Sequence, residues 1–473
     1  MATNVRRTAD ESAVARYFHF AERKTELRTE LAAGLTTFFV MAYIIFVNPG
    51  ILSGGPLQGL GPNFSATLTA TCLAAGLMSI AMGLYTNYPY ALAPGLGLNA
   101  VVAFQLILGL KMPWQAAMGV IFLEGVAITV LVLTGFREAV MRAIPLSLKR
   151  AIGVGIGLFI LFIGLNNAGL VRRTPEAGGT PVGLGDYTSF PLLLAVIGLA
   201  LTILLMARRV RAALLIGILL TTLIGIIAHY AFGVDVTAAV PGVQGDLPTS
   251  LSGPDFSTIG QGINFQVFSL IGPITAVLVI FSLMLSDFFD TMGTIIGVGE
   301  QAGFVNEQGE LPGADRVLLV DSLAAAVGGA FSSSSVTTYI ESAAGVSDGG
   351  RTGLVSVVVG VLFLVSILLA PFAGIVPSEA TAPALIIVGF LMCGLIRDID
   401  FSDFEVGLPA LLTVTLMPFT YSITNGIGFG FITYVFIKAV MGKSREVHPL
   451  LWIISLAFLI YFLIPFLQKT FGF

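Results

Sequence analysis

Apolar segments long enough to cross a lipid bilayer recur along almost the whole chain, separated by short polar or Gly/Pro-rich breaks. A helix that crosses a bilayer needs roughly 20 predominantly apolar residues. The pattern therefore predicts an all-α integral membrane protein with about fourteen membrane-spanning segments. We place the segments at 31–52, 67–85, 88–110, 114–134, 150–170, 190–207 and 212–232, and then at 266–298, 316–331, 336–348, 352–372, 380–396, 405–421 and 424–440.

Composition supports the same class and leaves little room for a soluble domain. Of the 473 residues, 56% are hydrophobic and 11% are charged, so lipid must solvate most of the surface. The charged residues 1–30 contain no apolar stretch followed by a cleavage site, and we predict a retained cytoplasmic tail. The two cysteines, Cys72 and Cys393, lie in separate apolar segments. We therefore predict no disulfide framework, no metal and no cofactor.

The placement of lysine and arginine predicts the orientation of the chain. These residues are concentrated in the N-terminal tail and after the fourth and sixth segments, whereas 233–265 contains none. By the positive-inside rule the N-terminus is cytoplasmic and 233–265 is an extracellular or periplasmic loop, an assignment that Arg172 and Arg173 oppose. Seven segments in each half place the second half upside down relative to the first. This is the inverted-repeat topology of secondary transporters.

The third segment is unlike a straight helix. It reads NYPYALAPGLGLNA, with Pro89, Pro94, Gly95 and Gly97 where a helix needs unbroken backbone hydrogen bonds. Proline is favourable at the first position of a helix. We therefore predict an extended piece over 88–93, followed by a half-helix that begins in mid-membrane near Pro94.

The tenth segment has a similar interruption built from different residues. It reads FSSSSVTTYIESAAGVSDGG, in which the Ser/Thr-rich stretch 332–339 precedes the helix-capable IESAAG. Asn99 and Glu341 occupy corresponding places in the two halves. Paired broken segments indicate the binding site of a transporter. A plain loop and a simple kink are the alternative explanation.

Several carboxylates lie where a membrane should exclude them. The eighth segment contains SLMLSDFFDTMGTIIG, which places Asp287, Asp290, Thr291 and Thr294 on one helix face. An ionisable residue at the bilayer centre costs about 2.5–3.5 kcal/mol on insertion scales, so this face must line protein or water. The alternative roles are structural: Asp287 orients neighbouring hydroxyl groups, and Asp290 takes part with Thr291 in a bond between helices.

Glu341 is the strongest candidate for a functional acid. It lies at the start of the second half-helix, whose positive dipole end favours the ionised carboxylate, whereas burial disfavours it. A carboxyl group between these two effects can exchange a proton as a substrate enters and leaves. Glu124, in GVIFLEGVAITV, is equally deep in an apolar segment, and both a structural role and a proton relay stay open for it. The histidines indicate no proton switch, since they lie in tails or at segment ends: His19, His229 and His448.

Four runs of the sequence resemble the AzgA-like purine permeases, a branch of the nucleobase-ascorbate transporter (nucleobase-cation symporter) superfamily: ELAAGLTTFFVMAYIIFVNPGIL, APGLGLNA, SDFFDTMG and TTYIESAAG. The similarity extends in order over nearly the whole chain. The resemblance implies a core domain (spans 1–4 and 8–11; 31–134 and 266–372) that slides like an elevator against a gate domain (spans 5–7 and 12–14; 148–232 and 380–441). The segment 449–468 lies outside both, and it either spans the membrane or lies in its interface.

The resemblance also assigns residues. Asp287 and Glu341 become the purine-binding and proton-coupling acids, and Asn99 and Asp290 support them. Carboxylate oxygens suit such a cargo because they accept hydrogen bonds from N–H groups on the edge of a neutral base. Three further substrate contacts are predicted, with two more aromatic residues as candidates for covering the faces of the base: Thr338, Tyr339 and Phe288, and then Phe289 and Phe331.

The sequence thus predicts a secondary active transporter of the cell (inner) membrane that imports purine bases by proton symport and forms a homodimer through the gate domain. Guanine and hypoxanthine are the first candidate substrates, before adenine and xanthine, and sodium stays open as the coupling ion. The alternative is a transporter of sulfate, bicarbonate or a dicarboxylate on the same fold, although Glu341 would repel an anion from the half-helix. The sequence shows no nucleophile with a neighbouring base and no continuous basic patch, so we predict neither an enzyme nor a nucleic-acid-binding protein.

Overall fold

Helices dominate the computed structural model of the protein. The described residues are 12–54, 57–134, 143–172, 182–234, 253–306, 311–369 and 375–471. Within these ranges, 9 helices are long and apolar enough to cross a membrane. The predicted all-α membrane class is confirmed, while the count of fourteen spans stays a prediction.

The described residues of the first half form ten helices and three short strands. They are α1 (Ala13–Tyr17), α2 (Phe20–Arg23), α3 (Leu27–Met41), α4 (Ile44–Ser53), α5 (Phe64–Thr86), β1 (Leu92–Pro94), α6 (Leu96–Ala100), which continues as the π-helix Val101–Gly109, α7 (Trp114–Thr134), α8 (Leu146–Asn167), β2 (Val171–Arg172), β3 (Gly183–Leu184), α9 (Phe190–Ala207) and α10 (Ala213–Phe232). Residues 1–11 of the predicted tail and 235–252 of the predicted outer loop lie outside the described residues.

In the second half, nine helices and one strand lie within the described ranges. They are α11 (Val267–Ile271), α12 (Pro273–Ala302), α13 (Ala314–Phe331), β4 (Val336–Thr338), α14 (Ser342–Ser347), α15 (Leu354–Ser366), α16 (Ser378–Met392), α17 (Phe404–Thr420), α18 (Ile423–Val440) and α19 (Pro449–Phe471), with 3₁₀ turns at Ile367–Leu369, Cys393–Asp398 and Ser444–Glu446. Residues 370–372 of the eleventh predicted segment lie outside the described residues.

The observed helices match the predicted segments closely, with two breaks that the sequence did not reveal. The predicted segment 190–207 is α9 itself. The first segment is two helices, α3 and α4, and the eighth is the short α11 followed by α12. The second break occurs at Gly272, whose φ of 78° favours glycine, and Pro273 then starts α12. The segment 449–468 forms α19. Its Phe458 ring packs against the Phe431 ring of α18, and the ring centres are 6.2 Å apart.

The two broken segments meet through a two-stranded antiparallel sheet. Strand β1 pairs with β4 from Leu92 opposite Thr338 to Pro94 opposite Val336. All residues of both strands are buried. An unpaired backbone group in an apolar interior is costly, so each strand satisfies the other's N–H and C=O groups. The prediction of short extended strands before half-helices is confirmed, with α6 and α14 as the half-helices.

The start of the first half-helix differs from the prediction by two residues. We expected Pro94 to begin the helix, but it is the last residue of β1, and α6 begins at Leu96. The pairing extends further than the proline pattern suggested, because the Gly95 N–H donates to the Ser335 carbonyl oxygen at 2.8 Å. The sheet rather than the proline decides where the helix starts.

The helices around this sheet pack in two related pairs. Helix α5 packs along α15, and α7 packs along α13. Both contacts depend on glycine: a Cβ on Gly83 would lie 2.1 Å from the carbonyl oxygen of Gly353, and one on Gly125 would lie 2.2 Å from the Ala326 nitrogen. Helices α5 and α13 occupy the same place in the two halves of the chain, and so do α7 and α15. The two packed pairs are therefore equivalent, as inverted repeats require.

A second group of helices packs beside the first. Helix α8 contacts α16 and α17, α9 contacts α10 and α16, and α17 packs along α18. These helices belong to the ranges predicted to form the gate domain. The division of the chain into a core and a gate stays a prediction.

Candidate functional site

Glu341 lies directly before α14, where the second broken segment turns from strand to helix. Its Oε1 accepts a hydrogen bond from the Tyr43 hydroxyl at 2.7 Å. Tyr43 is buried between α3 and α4. Asp290 on α12 is close enough to Glu341 for a direct electrostatic interaction, and both acids are half-buried. Tyr43, Asp290 and Glu341 thus form one polar cluster, which we call the Glu341 cluster.

A second acidic cluster lies deeper in the protein. Glu124 on α7 and Asp287 on α12 interact with each other, on two helices that pack together. Their residues are 0% and 1% exposed. Neither oxygen of Glu124 has a hydrogen-bond partner among the described residues, and the same holds for Asp287 Oδ1. Asp287 Oδ2 accepts from the Ser335 hydroxyl at 3.4 Å. We call these two residues the Glu124–Asp287 pair.

Asp321 on α13 holds the sheet and two helices together. Its Oδ2 accepts from the Thr291 hydroxyl of α12 at 2.8 Å, and its Oδ1 accepts from the Thr338 backbone N–H of β4 at 2.8 Å. The hydroxyl oxygens of Thr291 and Thr337 also lie 2.7 Å apart. Hydrogen bonds to a charged group contribute about 1.5–3 kcal/mol each, so Asp321 is a strong structural anchor.

The face predicted on the eighth segment is buried as expected, but its two acids interact with different groups. Asp287, Thr291 and Thr294 are buried and Asp290 is half-buried. Asp290 interacts with Glu341, whereas Asp287 contacts Glu124. The bond between helices that the sequence assigned to Asp290 with Thr291 is made by Thr291.

Several buried polar groups near the strands lack a partner. Asn99 on α6 is 0% exposed, and neither its amide nitrogen nor its amide oxygen has a hydrogen-bond partner among the described residues. The same holds for the hydroxyls of Ser334 and Thr338. A buried polar group without a partner costs about 1–3 kcal/mol. A bound polar ligand would recover that cost.

The aromatic candidates lie in different surroundings. Phe288 is buried, with its ring 5.7 Å from that of the half-buried Phe289. The Tyr339 hydroxyl donates to the Pro94 carbonyl oxygen, which ties the two strands together. Phe331 ends α13 and packs against the apolar cluster that contains Leu92. The substrate-contact roles of these residues stay predictions.

Sequence reasoning missed two residues of these clusters. Asp321 stands in an otherwise apolar run, VLLVDSLAAAV, and the rule that intramembrane acids are functional or paired would have found it. Tyr43 gave no signal, because its partner Glu341 lies 298 positions away in the chain. Among the described residues, no group of three or more His, Cys, Asp or Glu side chains could hold a metal ion.

The chain is similar to known permeases over nearly its whole length. The profile of the Permease family matches residues 28–429. The adenine permease AdeP of Escherichia coli (strain K12) is 41% identical over 456 residues, which cover 96% of this chain and 96% of that protein. The guanine/hypoxanthine permease PbuG of Bacillus subtilis (strain 168) is 42% identical over 456 residues, covering 94% and 99%.

The fold also occurs in solved structures that have no close sequence similarity to this chain. The transmembrane domain of the cyanobacterium bicarbonate transporter BicA matches with a TM-score of 0.61 and 16% identity, over 86% of this chain and 97% of that one. At this identity the likeness concerns the fold alone, and it carries no information on cargo.

Proposed function

The chain belongs to the Permease family, and we propose that it is a secondary active transporter that imports purine nucleobases. It is a multi-pass membrane protein, and as a permease it is not an enzyme. The names of its relatives support a purine cargo, since AdeP is an adenine permease and PbuG a guanine/hypoxanthine permease. Guanine and hypoxanthine are the first substrates to test, followed by adenine and xanthine.

The Glu341 cluster is the observation that carries the proposal. A neutral purine offers N–H donors and ring-nitrogen acceptors along its edge. The oxygens of Glu341 and Asp290 accept from such donors, while the free amide of Asn99 both donates and accepts. The Tyr43 hydroxyl donates to Glu341 Oε1 at 2.7 Å and so orients the carboxyl group. Edge recognition of this kind discriminates strongly against molecules that lack the matching groups.

The acids of the Glu341 cluster, together with the neighbouring Asp287, support proton symport. Two neighbouring carboxylates in a low-dielectric interior repel each other. A proton that enters with the base removes one of those charges, so loading with both is more favourable than loading with the base alone. Glu341 and Asp287 are the proposed proton-coupling acids. The proposed coupling ion is the proton, with sodium as the alternative.

The packing supports a transport motion in which a core slides against a gate. The proposed core, 31–134 and 266–372, contains both strands and the two glycine-dependent helix pairs. The proposed gate, 148–232 and 380–441, contains the second group of helices. We assign the protein to the cell (inner) membrane with a cytoplasmic N-terminus, as a homodimer formed through the gate.

The same fold also occurs in an anion transporter, BicA. In such proteins the positive ends of half-helices can hold an anion. Here two carboxylates, Glu341 and Asp290, occupy the region before α14. Their negative field would repel an anion and favours a neutral cargo.

Uptake measurements test the proposal directly. Radiolabelled hypoxanthine, guanine, adenine, xanthine and uracil are offered to cells that lack their own permeases, with and without a protonophore. We expect protonophore-sensitive uptake of a purine, no uptake of uracil, and loss of uptake in Glu341→Gln. Glu405→Gln is the matched control, because Glu405 pairs with Lys438 and Lys443 at the start of α17. A wild type that reaches the membrane but moves no purine disproves the assignment, and uptake of sulfate or bicarbonate instead would establish the anion alternative.

A further inference from the structure

The Glu124–Asp287 pair combines features that a purely structural contact does not explain. Two carboxyl groups from different helices face each other in a fully buried position. Among the described residues, no lysine or arginine forms an ion pair with either of them. Neither carboxyl oxygen of Glu124 has a hydrogen-bond partner in the part of the chain that the structure describes. A buried charge without a counter-ion costs several kcal/mol, so something else must offset the charge of this pair.

A proton shared by the two carboxyl groups would offset it. Ionised carboxylates are acceptors only, so these two groups can hydrogen-bond to each other only when one of them is protonated. With both ionised, the two charges repel at close range in a low-dielectric medium, which is the situation of acid pairs that share one proton. The resulting O–H···O⁻ bond is charge-assisted and stronger than a neutral bond.

The surroundings add further acidic side chains. Glu124 interacts with Asp321 on α13, and Asp287 interacts with Asp321 and with Asp290 of its own helix. The other two elements packed on α7 are α11 and the π-helix, and neither contains a titratable side chain. On α8, which packs on α12, Lys149 lies over the Phe289 ring, 5.9 Å from its centre. Asp321 accepts two hydrogen bonds, which fix its carboxyl group in place beside the pair.

The same residues are unsuited to a metal ion. Cations such as calcium take six to eight oxygen ligands, and the described residues contain no group of three or more acidic, histidine or cysteine side chains that could hold one. A proton needs only the two facing oxygens. The two carboxyl groups of the pair are therefore sufficient to hold a proton.

We propose that Glu124 and Asp287 together form the binding site of the coupling proton, and that Glu124 is an essential half of it. This inference rests on the proposed proton-coupled purine transport and deepens it. The proton adds to one carboxylate oxygen and bridges to the other carboxylate, no other bond changes, and the charge of the pair rises by one. Asp290 lies one helix turn from Asp287 and interacts with Glu341. Protonation of the pair therefore lowers the negative potential at the Glu341 cluster, where the base binds.

Transport by reconstituted protein tests this role. Purified protein in proteoliposomes is assayed for purine uptake with and without an inward proton gradient, and the ratio of the two rates is compared. In the wild type we expect a ratio well above one. In Glu124→Gln the amide still hydrogen-bonds to Asp287 but cannot release a proton, so the ratio should fall to one. Glu124→Asp keeps an acid and should retain a ratio above one.

Each outcome separates this inference from the proposed function. A wild type that moves no purine, with or without a gradient, overturns the proposed function. A wild type that moves purine at a ratio of one overturns proton coupling altogether. A ratio in Glu124→Gln equal to that of the wild type overturns the role of Glu124 alone, while purine transport and its coupling stand.

Infrared difference spectra between acid and alkaline buffer give a second test that needs no transport activity. They record the C=O stretching band of a protonated carboxyl group. A shared proton predicts that Glu124→Gln and Asp287→Asn lose the same component of this band, whereas Asp290→Asn keeps it. If the two variants lose different components, or neither loses one, each acid titrates on its own and the shared site is excluded.

Discussion

Arg211 and Asp348 form a two-pronged ion pair that attaches the end of half-helix α14 to the turn before α10. Nη1 and Nη2 of Arg211 each lie 2.7 Å from a carboxylate oxygen of Asp348, and the Thr36 hydroxyl donates to the same carboxylate at 2.6 Å. The first half contains a neutral counterpart, in which Gln105 Nε2 donates to the Thr424 hydroxyl of α18 at 2.9 Å. Each broken segment is thus attached at its far end to a helix of the proposed gate.

The ion pair should bias the motion of the core without greatly stabilising the fold. The Arg211 side chain is 70% exposed, and exposed pairs contribute about 0–1 kcal/mol. We therefore expect Arg211→Gln to change the initial uptake rate by at most about fivefold. Asp348→Asn should have a similar effect, and the double variant should add nothing to either. If the free-energy changes of the two single variants add up in the double variant, the two residues act separately.

Tyr43→Phe should weaken binding of the substrate while the protein still folds. The substitution removes the hydroxyl that donates a hydrogen bond of 2.7 Å to Glu341 Oε1. A hydrogen bond to a charged group contributes about 1.5–3 kcal/mol. We expect the KM for the purine to rise about tenfold or more. Radiolabelled uptake over a concentration series measures the change.

Tyr90→Phe is the matched control for this substitution. Tyr90 is equally buried, but its hydroxyl donates to the Ile295 carbonyl oxygen. Its loss should lower thermal stability and leave the KM unchanged. Equal rises of KM in both variants would mean that a tyrosine hydroxyl matters only for packing.

Gly125→Ala and Gly293→Ala should have opposite effects on stability. A Cβ on Gly125 would lie 2.2 Å from the Ala326 nitrogen, so α7 and α13 would have to move apart. Overpacking of this kind costs typically about 1–3 kcal/mol. No atom lies within 4 Å of a Cβ on Gly293 in α12, where alanine is favoured over glycine by about 1 kcal/mol. Melting temperatures in detergent measure the stability of both variants. A Gly125→Ala protein as stable as the wild type would contradict the close approach of α7 and α13.

The sequence was sufficient for the elements but insufficient for the contacts between them. Uninterrupted apolar runs such as 190–207 define a helix by length alone, and the proline and glycine pattern marked the first broken segment. Which acid faces which depends on the rotation of each packed helix. Asp287 and Asp290 share one helix and yet interact with Glu124 and Glu341 respectively. No local pattern encodes that choice, because both partners come from distant parts of the chain.

Asn99 and Asn48 allow a structural asparagine to be distinguished from a ligand-binding one. Both are 0% exposed. Asn48 Nδ2 donates to the Thr71 hydroxyl at 2.7 Å and to the Ser333 carbonyl oxygen at 3.0 Å, whereas the amide nitrogen and oxygen of Asn99 have no partner among the described residues. Removing the Asn48 amide therefore deprives the Thr71 hydroxyl and the Ser333 carbonyl oxygen of a buried donor. Removing the Asn99 amide breaks no hydrogen bond among the described residues.

Asn48→Ala should lower thermal stability by about 1–3 kcal/mol, since it abandons two buried hydrogen bonds. Asn99→Ala should fold at least as stably as the wild type, because it deletes a buried amide that the protein itself does not satisfy. Its defect should appear only with substrate, as a loss of the stabilisation that a saturating purine gives the wild type. Melting curves with and without guanine measure both effects. A full stabilisation of Asn99→Ala by guanine would place the amide outside the binding site, and the unsatisfied group would then need another ligand.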